Sequence, residues 1–411
     1  MSGHYDVLET RDAEARETAL MAALPGQVAH AKSATDHYAE VLAAVDPHAV
    51  TSRAALAKLP VTRKSSVPAM QKARPPFGGL LPRHARLVRI FQSPGPIYEP
   101  ETDQADFWGY GRGFYAAGFR EGDLIHNTFA YHLTPAGRMV ESGARAVGCP
   151  VIPAGTGNTE QQLKVIADLR PSGYCGTPSF LKILLERARE TGADTSSLEH
   201  ASVGGEALPP ALRKVLGELG MKTVLQGYAT AELGLIAYES PALEGMIVNE
   251  NIVVEILHPA TGDPVTAGEV GEVVVTLLKP DYPLLRFATG DLSAVLPGTS
   301  PCGRTNMRLR GWMGRADQTT KVKGMFVMPT MIAEIQRRHP EILKARLVVT
   351  TVDNLDAMTL RCEVAPGTAG IEHRIGDSLQ SVCKLRGKIE LVAPGSLPND
   401  FKAIEDARKY D

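Results

Sequence analysis

Four short stretches hold the residue types that could do chemistry together: 93-SPGPIYEP-100, 204-GGEALPP-210, 226-QGYATAELG-234 and 286-RFATGDL-292. The first follows the apolar run 87-LVRIF-91. A strand running into a turn of Ser, Pro and Gly is how a phosphate-cradling loop begins. Such a loop works through backbone N–H groups, hydroxyls and a cation aimed at phosphate oxygens. Here Pro94 and Pro96 have no N–H to give. The extra glycines, the hydroxyl pair and the lysine are missing, and Glu99 is present. An anion about 5 Å from one phosphate charge, at an effective dielectric near 20, costs roughly 3 kcal/mol. Each of the other three stretches alone is an ordinary turn; their order and spacing make the set specific.

The elements that must position these residues follow from periodicity. The first sixty or so residues carry apolar side chains at helical spacing, as in 15-ARETALMAALPGQVAHAKSATDHYAEVLA-43. After 59-LPVTRKSS-66, strand-like runs alternate with amphipathic helices as far as KTVLQGY. That βαβα order predicts a largely parallel sheet covered by helices, with ligands at loops beyond the strand ends. All four stretches are expected in loops of that kind. From about residue 246 the pattern alternates with period two and breaks at PATGD and TAGEVGE, the mark of hairpins in a β-rich subdomain. A composition shift at 314-GRADQTTKVKG-324 opens a small α+β lobe. The expected fold class is α/β: a large lobe over residues 1–314, then a small mobile domain over 315–411, joined by a hinge.

Composition narrows the function classes. The chain has 411 residues, 44% hydrophobic and 22% charged, with net charge −2. Nothing in that balance calls for nucleic acid or an anionic membrane as partner. With no apolar signal core and no membrane-length apolar run, cytoplasm is the expected location. Cys149, Cys175, Cys302, Cys362 and Cys383 are scattered, without metal-ligand spacing, and are read as reduced, mostly buried thiols.

Taken in order, the motifs resemble the phenylacetate-CoA ligase branch of the adenylate-forming (acyl-CoA synthetase) superfamily. The likeness runs from LPVTRKSS through GDLIHNTFAYHLTPAG, SVGGEAL, GYATAELG, LLRFATGDL and GRADQTTKVKG to LPNDFKA. It implies that Tyr228 stacks on adenine and that Glu232 holds Mg²⁺ near the phosphates. An aromatic face suits a purine and a carboxylate suits a hard cation. Gly204, Gly205 and Glu206 would pass along the adenine, with glycine permitting close backbone approach. Asp291 would accept the ribose hydroxyls, and Arg315 would contact ribose or phosphate. Asp317 would be the hinge, and Lys402 the catalytic lysine that stabilises charge on the α-phosphate. The implied ligands are AMP or ATP with Mg²⁺, and CoA as acceptor. A homodimer is the oligomer that the likeness suggests.

The pattern breaks in four places. The family loop reads roughly SSGTTGKP; here Ser93, Gly95 and Pro100 keep the frame, Pro96 and Ile97 replace two hydroxyl residues, and Glu99 replaces the lysine. Ala231 removes a hydroxyl beside Glu232, with Thr230 one position off. The ending around Lys402 is one residue short and lacks a glycine. Where some relatives carry a Cys/His cluster, this chain has Ser240, Met246, Pro301 and only Cys302, so no structural zinc is expected. The pyrophosphate end of the site thus reads as dismantled and the adenosine end as kept. Two classes of function stay open. One is an enzyme that activates a small carboxylic acid and passes it to CoA or another nucleophile, or that starts from an acyl-adenylate or acyl-CoA without ATP. Its acyl pocket would include Phe129, Tyr131 and His132. The other is a non-catalytic nucleotide- or acyl-binding protein on the same scaffold.

Overall fold

The structure, a computed structural model, describes residues 3–93, 95–258, 261–313, 316, 320–323, 325–327, 329–352, 355–368, 370–398 and 402–408. It divides into two compact units, Met1–Trp312 and Met313–Asp411. Arg315 and Asp317, the expected ribose or phosphate contact and the expected hinge, lie outside the described residues.

In the first unit the strands run in chain order: β1 Thr62–Arg63, β2 Leu87–Ser93, β3 Ile97–Thr102, β4 Ile125–Asn127, β5 Val151–Pro153, β6 Gly173–Gly176, β7 His200–Val203 and β8 Thr223–Thr230. They continue as β9 Gly234–Glu239, β10 Met246–Val248, β11 Ile252–Leu257, β12 Gly271–Leu277, β13 Phe287–Ser293, β14 Val295–Leu296 and β15 Arg308–Leu309. Among the described residues the main sheet has the order β14-β15-β10-β9-β8-β7-β6-β4-β5. Its β5-β4-β6-β7-β8 half is parallel, and helices such as Ala136–Val147, Thr159–Leu169 and Pro178–Thr191 supply the crossovers. This is the mixed α/β class expected from the alternation. A second sheet, β1-β13-β12-β11, forms the β-rich part. Its strands β11 and β12 are buried throughout, and Val253, Val254, Val273 and Val275 knit them into the largest core. The 22-residue helix Ala13–Ala34 packs Leu20, Leu24 and Val28 on the same core.

The second unit places helices Pro329–Arg338 and Glu372–Cys383 on a sheet of β18 Ile342–Val352, β19 Leu355–Val364, β20 Lys388–Val392 and β21 Ile404–Asp406. The hairpin of β16 Thr320–Val322 and β17 Met325–Val327 precedes them. Ile335, Leu347, Leu360 and Leu379 are buried in its own separate core. Among the described residues no helix is long and apolar enough to cross a membrane.

Three of the four expected loops are not loops. The run 87–91 does not lie in the parallel sheet; β2 and β3 form an antiparallel hairpin whose register pairs Ser93 with Ile97 and Phe91 with Glu99. Gly95 and Pro96 lie in its turn, with Gly95 at φ 143°, a conformation open mainly to glycine. Pro96 sits in that turn and does not break the ribbon. Tyr228 sits on β8, which pairs antiparallel with β9, leaving 231–233 as the whole connection. Asp291 sits on β13. Val274 pairs with Ala288 and Glu272 with Leu292, so residues 289–291 face a single residue on β12. Such a bulge re-aims a side chain.

Candidate active site

The corner around Tyr228 and Asp291 is closed by hydrogen bonds. The Tyr228 hydroxyl donates to Asp291 Oδ2 at 2.9 Å, and Trp312 Nε1 donates to Asp291 Oδ1 at 3.1 Å. Thr289 Oγ1 accepts from the Asp291 N–H at 3.0 Å and donates to the Val273 carbonyl at 3.0 Å, pinning the bulge. Both carboxylate oxygens therefore have a neutral donor, and Asp291 is held in one orientation while buried to 6% exposure. On the neighbouring strand β7, the chain leaves through Gly204, whose N–H donates to the Gly176 carbonyl at 3.1 Å. The Gln226 side chain donates to the Glu206 carbonyl at 2.9 Å, and Ser179 Oγ donates to the Glu206 carboxylate at 2.6 Å. Gly204–Gly205–Glu206 and Tyr228 thus sit at adjacent strand ends, held by side chains from elsewhere in the parallel half.

The second corner is built around two buried carboxylates. Residues alternate across a strand, so Phe91, Ser93, Ile97 and Glu99 share the inward face of the hairpin and all are buried. Glu99 has no exposure at all. Ser93 Oγ donates to its Oε1 at 2.8 Å, while Oε2 has no hydrogen-bond partner. Glu232 comes from the β8–β9 turn. Trp108 Nε1 donates to the Ala231 carbonyl at 3.1 Å, and the Leu235 N–H donates to the Trp108 carbonyl at 2.8 Å. Gly234 is obligatory there: its φ is +74°, and a Cβ would lie 2.3 Å from the Trp108 oxygen. Lys64 supplies the cation. It follows β1, which pairs in parallel with the start of β13 (Thr62 with Phe287, Arg63 with Ala288). Its Nζ lies 2.9 Å from Glu232 Oε1 and 3.0 Å from Oε2.

Charge in this corner is unbalanced. Burial, then the Glu232 carboxylate, pushes the Glu99 carboxyl well above its usual range, against the opposing pull of Lys64 and Ser93. Burial alone would lower Lys64, but the Glu232, Glu99 and Asp291 carboxylates outweigh it and raise the ammonium. Burial and then the Glu99 and Glu232 charges hold the Tyr282 hydroxyl well above its ordinary range. The same few groups act on one another throughout, which places Glu99, Glu232, Lys64, Tyr282 and Asp291 in one region. The anion expected on a phosphate loop is therefore not displayed on a loop; it is buried on a strand and clamped by Ser93.

Other expected site residues divide. Phe129 and Tyr131 are half-buried beyond the end of β4, and Asn127 Nδ2 donates to the Tyr131 hydroxyl at 2.8 Å. The Tyr131 ring lies over Gly137, where an added Cβ would approach it to 2.9 Å. His132 is exposed. Lys402 is exposed on a non-helical segment just before β21, not on a C-terminal helix, because this segment is drawn into parallel pairing with β18. The stretch containing its neighbours 399–401 lies outside the described residues. Cys302 Sγ accepts from Ser300 Oγ at 3.1 Å and from Arg304 at 3.6 Å; burial would raise the thiol, but hydroxyls of Ser240 and Ser300 together with Arg304 lower it. Among the described residues no group of three His, Cys, Asp or Glu side chains is placed to hold a metal. The sequence reading missed Lys64, Trp312, Thr289 and Tyr282. Lys64 lay inside the quoted LPVTRKSS, yet nothing local signals its pairing with Glu232.

Comparison with known proteins now bears on this geometry. The family model described as AMP-binding enzyme matches residues 119–276. A phenylacetate-coenzyme A ligase of Thermus thermophilus is 32% identical over 344 residues, covering 79% of this chain and 75% of the relative. The chain belongs to the phenylacetate-CoA ligase family. Another phenylacetate-coenzyme A ligase, from Escherichia coli, is 28% identical over 386 residues, covering 87% of this chain and 85% of that one. Among solved structures, 2-hydroxyisobutyryl-CoA ligase in complex with 2-HIB-AMP and CoA superposes with a TM-score of 0.80 at 24% identity. That match covers 100% of this chain and 93% of the ligase and carries the fold. As a member of this family the chain is an AMP-forming, acyl- or aryl-CoA-ligase-like enzyme.

Proposed function

We propose that this family member activates an organic carboxylic acid as its acyl-adenylate and transfers the acyl group to CoA, with nucleotide held mainly by its adenosine end. The observation that carries this reading is the contrast within the site. Asp291, fixed by Tyr228 and Trp312, is a pre-aligned acceptor for a ribose diol. The β2–β3 turn that should grip the pyrophosphate has prolines where N–H donors are needed, and its acidic residue is buried. Lys64, which comes from another part of the chain, is the cation paired with Glu232. Phe129 and Tyr131 would line the acid's pocket, and Gly204–Gly205–Glu206 the adenine's edge. Lys402 would serve the α-phosphate. Glu232 is a suitable Mg²⁺ ligand: it is buried, oxygen-donating and beside a second carboxylate with an orphaned oxygen. When bound there, Mg²⁺ would neutralise phosphate charge.

The poor pyrophosphate grip favours a second reading, that the chain starts from a ready-made acyl-adenylate. One experiment separates the readings. A panel of carboxylic acids is incubated with Mg-ATP and CoA, and in parallel an acyl-adenylate is supplied with CoA alone. Acyl-CoA in both arms supports the ligase; acyl-CoA only from the adenylate supports the second reading. Absence of product in both, with AMP still binding, leaves a nucleotide-binding protein.

A further inference from the structure

We infer that Asn127 positions the acid pocket: it holds Phe129 and Tyr131 in place and thereby sets which acid is accepted. The inference rests on the proposed function, which takes those two residues as pocket walls. Asn127 is the last residue of β4 and is fully buried. Its side chain is bonded to one segment, residues 129–137. Nδ2 donates to the Tyr131 hydroxyl at 2.8 Å and to the Gly137 carbonyl at 3.0 Å, and Oδ1 accepts from the Phe129 N–H at 3.2 Å. Both amide hydrogens and the amide oxygen are thus in use. Tyr131 is gripped twice, at its hydroxyl by Asn127 and at its ring by Gly137, where an added Cβ would lie 2.9 Å from ring carbons. The Gly137 N–H in turn donates to the Ala130 carbonyl at 3.0 Å and closes the segment. The Asn127 carbonyl accepts from the Gly155 N–H at 3.0 Å, so the loop after β5 bears on the same residue. A buried amide engaged at both ends has one orientation, and it passes that orientation to the two aromatic residues. With no exposure of its own, Asn127 acts through them and is a positioning residue.

The test reads kcat and KM separately on the full chain with Mg-ATP and CoA, for acids that differ from one another by a methylene. Where wild type accepts only acyl-adenylates, the adenylates of the same acids take their place. Asn127→Ala should raise KM for the acid about tenfold, as expected for lost hydrogen bonds, and leave KM for Mg-ATP and for CoA unmoved. It should also shrink the preference between neighbouring acids, which a well-shaped apolar pocket sets at about tenfold or more. A second variant keeps the test open if that one folds poorly. Tyr131→Phe, at a half-buried position, deletes only the hydroxyl that Asn127 grips, and it should raise the same KM. In the double variant the two effects should fall short of additive, because one acts through the other. An acid KM of N127A equal to that of wild type overturns the inference while the proposed function stands. So does a parallel rise in KM for the acid, Mg-ATP and CoA, or full additivity with Y131F. A wild type that turns over neither acid nor adenylate overturns the proposed function itself, and the inference with it.

Discussion

Asp291 and Glu99 are both buried carboxylates within reach of Lys64's field, yet their surroundings are opposite. Asp291 has a donor on each oxygen and a backbone pinned by Thr289. Glu99 has one donor, an orphaned oxygen and a like-charged neighbour. The first corner is finished without a ligand. On the proposed function, a ribose diol would find acceptors already aimed there, and little reorganisation would oppose binding. The second corner is incomplete, and it is completed by a proton, by Lys64 or by an added cation. If the proposed function holds, the two ends of one nucleotide site are built on different principles, one by satisfied geometry and the other by charge left to be balanced.

The comparison is broken most severely at Lys64. Lys64→Met leaves Glu232 beside Glu99 with no counter-charge. Removing one partner of a buried pair costs about 3 kcal/mol or more, so chemical denaturation in chelator should show the largest loss of stability of these variants. An unchanged midpoint would mean that the pair carries no such weight. At the other corner, Asp291→Ala removes both acceptor oxygens. Two charge-assisted hydrogen bonds at about 1.5 kcal/mol each imply roughly a hundredfold loss of AMP affinity by calorimetry, with CoA affinity unchanged.

A third test uses pH. The native Glu99 carboxyl keeps its proton above its ordinary value of 4.5 because burial, then Glu232, disfavours the charged form. The unfolded chain has already lost that proton, so wild-type stability falls as pH rises from there until the native carboxyl also ionises. The slope approaches about 1.4 kcal/mol per pH unit. Glu99→Gln has no proton to lose. Its stability relative to wild type should rise as pH climbs above the ordinary carboxyl value of 4.5, as read from urea midpoints in chelator; parallel curves would remove Glu99 from the cause. The smallest effect is expected from Tyr228→Phe, which keeps the ring and deletes one donor to Asp291. About 1 kcal/mol corresponds to a few-fold weaker AMP binding. A loss as large as that of Asp291→Ala would show that the hydroxyl does more than orient the carboxylate.

Much of this was legible in the sequence, for physical reasons that differ by element. The parallel half follows from alternating strand-like runs and amphipathic helices, a local signal. Tyr228, Glu232 and Asp291 follow from motif order. Lys64 does not, because its place depends on β1 pairing with β13, more than two hundred residues away, and periodicity carries no register between distant strands. Trp312 lies outside the strands, 21 residues past Asp291, where no periodicity marks it. Prolines misled the reading of 93–100: they look like breakers of regular structure, yet flank the glycine of a tight hairpin. Once that hairpin is known, period two puts Glu99 on the face of Phe91 and Ile97, and its burial follows. A repair of the loop toward the family pattern must therefore reckon with two buried positions, Ile97 and Glu99.

The central claim is that the adenosine corner, not the β2–β3 turn, holds the nucleotide. It is tested most directly by titrating the wild-type chain with AMP and with ATP in chelator, so that neither is helped by a cation. The account predicts that AMP binds at least as tightly as ATP. ATP binding tenfold more tightly than AMP under those conditions would show that the turn grips the polyphosphate directly, and would contradict it.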